Sequence, residues 1–93
     1  MYKSPSGEIV TCIFFATKTP PGIEWYGFTI QDENKNDTLY YGLIDSNKRD
    51  LGYFSLSDIK DFDAEYTSDP DVLNDITLPS GWERFSPNLL IEE

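Results

Sequence analysis

The chain has no histidine and only one cysteine, Cys12. Zinc sites draw most of their ligands from these two residue types, so the usual zinc arrangements are excluded, and a lone thiol closes no intramolecular disulfide. Basic residues are scarce too: 7 Lys and Arg stand against 17 Asp and Glu, a formal net charge of −10. Phosphate backbones are held by clustered cations, and the nearest thing to a cluster is the pair Lys48 and Arg49. Direct nucleic-acid binding is therefore not expected, whereas a basic protein surface suits this charge. No apolar stretch approaches the roughly 20 residues that a spanning helix needs, and residues 1–7 are too polar for a secretory signal. The expectation is a cytoplasmic protein without membrane contact, in which the sequon at Asn36 goes unused.

What the chain does have is aromatic residues, 15 % of the total, which give a short sequence large side chains to bury. At 93 residues it supplies one core, so 1–93 reads as a single domain. The run EIVTCIFFAT, residues 8–17, is apolar on both alternating sets and reads as one central strand, with Cys12 packed as a small hydrophobe. The prolines of TPPG stop it. IEWYGFTIQ and TLYYGLID follow as two strands of an antiparallel hairpin, and residues 51–56 continue the meander. Gly27, Gly42 and Gly52 all fall inside these strands, where bulges or aromatic packing over bare backbone account for them.

At FSLSDI the period changes. Ser55 stands three residues before Asp58, a capping-box spacing, and Leu56, Ile59 and Phe62 recur at helical intervals. The expected corner sends Tyr53 and Phe54 to opposite faces and lays a two-turn helix over one of them. Beyond it the chain reads as irregular, with one helical turn at DPDVLND and, around Trp82 and Phe85, either a short closing strand or an extended segment packed on the sheet. The fold class expected is α+β: a small antiparallel meander of about four to five strands with one short covering helix.

The order of WYG, YYGLID and LGYFSLSDI, closed by ERFSPNLL, resembles a family of small bacterial, plasmid and phage proteins of unknown function. The likeness runs over about residues 8–90, and LGYFSL is its most specific part. Two departures stand out: relatives carry an extra segment ahead of the first strand, where this chain has MYKSPS, and Asp50 replaces the expected Glu. The resemblance implies no catalytic residues. It implies genomic company, that of phages and mobile elements.

The acidic stretch 58–75 holds Asp58, Asp61, Asp63, Glu65, Asp69, Asp71 and Asp75 against the single Lys60, six of the ten net charges. One reading is a solvated face that keeps the domain soluble. The functional reading makes these residues a partner-binding surface, a nucleic-acid mimic that inhibits a host nucleic-acid-handling or defence protein. An accessory or structural interaction domain is the alternative, and a carboxylate-based enzyme using Glu24 beside Tyr26, or Asp45 near Tyr53, is the second. Asp32, Glu33, Asp37 and Asp45 read as solvated turn acids. The aromatics Tyr26, Phe28, Tyr40, Tyr41 and Tyr53 read as core and cross-strand packing before a base-stacking platform.

A calcium loop from Asp61 has oxygens at positions one, three, five and nine, yet Tyr66 takes the glycine position and Val72 the bidentate glutamate position. No metal or cofactor is expected, and the protein reads as a monomer or weak homodimer acting by binding rather than catalysis.

Overall fold

The computed structural model describes residues 1–20, 22–34 and 37–84. Asn36 of the sequon and residues 85–90 of the closing segment lie outside them. Five strands make an antiparallel sheet: β3 (Phe14–Lys18), β4 (Ile23–Glu33), β5 (Thr38–Asp45), β6 (Arg49–Ser55) and β7 (Glu65–Thr67), in the order β6-β5-β4-β3-β7. The expected meander is there, with β7 added to the outer side of β3. A second antiparallel sheet, β1 (Tyr2–Lys3), β2 (Ile9–Val10) and β8 (Glu83–Arg84), has β1 at its centre. Two short helices, α1 (Leu56–Asp61) and α2 (Pro70–Leu73), complete the order. The molecule is thus richer in sheet than a single meander with one helix.

The run at residues 8–17 is not one strand. β2 and β3 belong to different sheets, and the side chains change face between them: Cys12 packs with Tyr26 and Leu43, Phe14 with Tyr40 and Phe54. Apolar residues on both alternating sets look alike whether a strand is covered on both sides or crosses between two sheets. Two further strands were unforeseen: β1, in the polar stretch at residues 1–7, and β7, in a stretch dominated by acids.

Both faces of the large sheet are covered. On one, α1 buries Ile59 against Phe14, Ala16, Trp25, Tyr40 and Phe54. On the other, Tyr2, Leu73 and Leu78 pack with Cys12, Tyr26, Phe28 and Leu43, backed by Val10, Ile76 and Trp82. Tyr2, which sequence reasoning passed over as part of a polar leader, is 5 % exposed and donates its hydroxyl to the Ile76 carbonyl at 2.6 Å.

Gly27, Gly42 and Gly52 stand side by side across β4, β5 and β6. A Cβ on Gly27 would lie 3.0 Å from Phe14 Cβ and 3.3 Å from Tyr40 Cδ1, so these residues pack onto bare backbone. The β4–β5 register shifts between Gly27 and Thr29 and again between Ile30 and Asp32, the bulges expected of a strand glycine.

Candidate functional site

The acidic stretch begins at the corner that the sequence marks. Ser55 ends β6 in an extended conformation and caps α1: its Oγ accepts from the Asp58 amide at 3.1 Å, and the Asp58 carboxylate accepts from the Ser55 amide at 3.3 Å. Asp58 is exposed and also committed to the helix start, as the capping-box spacing in the sequence leads one to expect. A further cap arrives from outside the helix. Asp37, just before β5, accepts from the Ser57 amide at 2.9 Å and the Ser57 hydroxyl at 2.8 Å. These bonds hold its carboxyl below the ordinary value. Sequence reasoning treated Asp37 as a solvated turn acid, and nothing local distinguishes an acid that will meet a helix 20 residues on.

Beyond α1, Phe62 forms the C-cap, half exposed against Trp25 at a ring separation of 5.4 Å rather than buried with Ile59. Asp63 takes a left-handed backbone, φ 61°, which turns the chain into β7; aspartate tolerates this better than most residues. Glu65 is exposed on β7, the sheet edge. Asp69 then caps α2, its carboxylate accepting from the Asp71 amide at 3.0 Å.

The course of the stretch follows from what each helix buries. α1 packs through Ile59 on one face of the large sheet and α2 through Leu73 on the other, with β7 forming the edge between. The seven carboxylates therefore make a belt that wraps one edge, not the flat acidic face that sequence reasoning suggests. All seven residues are exposed. Among the described residues the one ion pair lies elsewhere, between Arg49 and Asp45 at 3.5 Å; Lys60 within α1 and Lys18, which lines a hollow with Asp63 and Glu65, accompany the belt without ion-pairing to it. Against it, between α1 and β7, opens a hollow of about 450 Å³ that touches Phe14, Tyr40, Leu56, Tyr66 and Asp69.

The carboxylate and tyrosine pairs are arranged differently from expectation in one case. Glu24 and Tyr26 do meet, with the Tyr26 hydroxyl donating to Glu24 Oε1 at 2.8 Å. Burial, then this bond, pushes the Tyr26 phenol far above its ordinary value, so it stays a donor and offers no base. Asp45 is not near Tyr53: it pairs in register with Glu24 and Arg49, whereas Tyr53 pairs with Tyr41, four residues along. Of the aromatics, Tyr26, Phe28 and Tyr40 are core, Tyr41 is half-buried and Tyr53 is exposed, the two last meeting edge to face at 5.0 Å. Among the described residues no group of three His, Cys, Asp or Glu side chains converges on a possible metal position. Helix, turn, edge strand and cap send the oxygens of the would-be calcium loop apart.

Comparison of the chain with protein-family models, curated proteins and solved structures finds no match in any of the three.

Proposed function

We propose that this protein is a small acidic binding protein, not an enzyme, whose belt of Asp58, Asp61, Asp63, Glu65, Asp69, Asp71 and Asp75 occupies a basic groove on a nucleic-acid-handling or defence protein in place of a nucleic-acid backbone. The observation that carries this reading is the belt itself: six of the ten net charges, exposed, without an ion pair among the described residues, and wrapped around one sheet edge. Opposite potentials of this kind speed encounter and fix orientation. The neighbouring hollow supports it further, because the exposed Tyr66 ring and Asp69, which both line it, suit an inserted lysine or arginine side chain. The family resemblance adds a setting: a phage or mobile-element protein acting in the cytoplasm of its host.

The structure guides the choice of test residues. Asp58 and Asp69 cap helices and Asp63 holds a left-handed turn, so reversing them would confuse binding with folding. Asp61, Glu65 and Asp75 are exposed, sample both sides of the edge and accept no side-chain hydrogen bond among the described residues. The triple variant Asp61→Lys, Glu65→Lys, Asp75→Lys should stay folded, since such surface changes cost under about 0.5 kcal/mol each. In pull-downs from bacterial lysate, basic proteins retained by the wild type at about 50 mM salt should be lost at about 500 mM, lost with the triple variant, and displaced by duplex DNA. Equal retention of the same proteins by both forms would leave the belt as a solubility device.

A further inference from the structure

The large sheet has two outer strands of opposite character. β7 is three residues long, carries Glu65 and is set among acids, features that discourage another chain from adding to an edge. β6 runs for seven residues, contains no proline, and pairs with β5 without a register shift. Its outer side has no partner strand among the described residues. Its two charges, Arg49 and Asp50, sit together at one end, leaving Leu51 and Tyr53 on one face at 49 % and 62 % exposure.

This edge is complementary to itself. In an antiparallel pair of identical strands related by a twofold axis, both residues of each opposed pair must be of the same hydrogen-bonding kind, so one residue must lie on the axis. Full overlap of seven residues puts Gly52 there. Leu51 then faces the partner's Tyr53, and by symmetry Tyr53 faces the partner's Leu51, two aromatic–aliphatic cross-strand pairs made from side chains exposed in the single chain. A side chain at the axis position has room on the sheet face: a Cβ on Gly52 would meet only Ile44 Cδ1, at 3.9 Å.

We propose that β6 is a self-association edge, through which two copies of this chain join their five-stranded sheets into one continuous sheet of ten. Charge placement permits it. β7 lies four strand spacings from β6, about 19 Å at roughly 4.8 Å each, and Asp58, held at the Ser55 end of β6, is kept from its symmetry mate by about six residues of strand, roughly 20 Å at about 3.4 Å each; both exceed the Debye length of about 8 Å at physiological ionic strength. Repulsion between the two belts is therefore screened in normal buffer and strengthens as salt is removed.

Sedimentation equilibrium on the full chain, from about 5 μM to 0.5 mM, should show the mass rising from 10.7 kDa towards twice that value, and less steeply at about 20 mM than at 300 mM salt. Leu51→Lys and Tyr53→Lys should each weaken self-association at least about tenfold with unchanged near-ultraviolet circular dichroism, while Glu65→Lys on the opposite edge should leave it in place. Gly52→Cys should form a linked dimer under mild oxidation, since residues opposed across an antiparallel pair lie within disulfide reach, and Ser46→Cys beyond the strand should not. A chain that stays monomeric to the highest concentration overturns the proposal. So does a dimer that survives both lysine variants, or one that Glu65→Lys abolishes.

Discussion

A Cβ on Gly42 would collide with the carbonyl oxygen of Tyr26 on the neighbouring strand, whereas a Cβ on Gly52, one strand over, has room. Identical residues in one row thus carry opposite expectations. Gly42→Ala should force the strands apart and cost about 1 to 3 kcal/mol, while Gly52→Ala should be neutral or stabilise by up to about 1 kcal/mol by removing backbone freedom from the unfolded chain; urea titration of both checks the contrast. Titrating groups add a second residue-scale expectation. Burial pushes the Cys12 thiol from 9.0 up to about 11, and raises the Tyr2, Tyr26 and Tyr40 phenols above their ordinary value. A raised folded-state value means that the folded chain keeps its proton after the unfolded chain has lost it. Stability should therefore be flat on this account below pH 9, fall from pH 9 as the unfolded thiol ionises, and fall more steeply above pH 10 as the unfolded phenols follow. Cys12→Ala should remove the part that sets in at pH 9 and leave the steeper one, measured by denaturant midpoints across the alkaline range.

Among the elements, α1 shows how little of a short helix's stability is its own. Six residues are too few to hold a helix in water, and this one is fastened by Ser55 in the chain before it, by Ile59 beneath it, and by Asp37 from the far side of β5. Ser55→Ala should cost about 0.5 to 2 kcal/mol, as loss of a serine cap does. Ser57 touches both caps, its hydroxyl 3.0 Å from Ser55 Oγ and 2.8 Å from Asp37. Ser55→Ala and Asp37→Ala should therefore fail to add when combined, and a double-mutant cycle on thermal stability measures the coupling. Asp37 also has a pH signature. Its value is lowered on folding, so its contribution is present above the ordinary 3.8 and lost as pH falls through the folded value. The Ser55 cap, the placing of the three glycines within strands and the turn at α2 could be read in advance because their signals are local. Asp37 could not, since the signal is a contact.

For the molecule as a whole, the two proposals differ in sign. Binding of a basic partner by the belt should weaken with salt, and self-association through β6 should strengthen with it, so one salt series on each equilibrium separates them. The same distribution of carboxylates bears on metals. Asp61 ends a helix, Asp63 sits in a left-handed turn, Glu65 lies on an edge strand and Asp69 caps another helix. Millimolar calcium and EDTA should leave the thermal midpoint within about 2 °C of each other, below what a 1 kcal/mol ligand effect would give in a domain of this size. A larger shift would mean that the loop closes around an ion.

Local sequence was enough to specify the β3 to β6 meander, the helix that begins at Leu56 and the acidity of residues 58–75, because alternation, capping spacing and composition act over a few residues. It was also enough to assign the strand aromatics to core and cross-strand packing, though not to tell Tyr26, Phe28 and Tyr40, which are buried, from Tyr53, which is exposed beside Tyr41. Tertiary pairing was needed to divide the apolar run at residues 8–17 between two sheets, to bury Tyr2 under the second of them, and to set Asp45 with Glu24 and Arg49 instead of Tyr53. The same pairing turned a run of acids into a belt around β7 and left β6 as the long outer strand without a partner among the described residues. The physical reason is common to all of these. Which face a side chain meets, and which strand ends at an edge, depend on pairings between residues distant in the chain, and a periodic pattern reads the same before and after such a pairing is made.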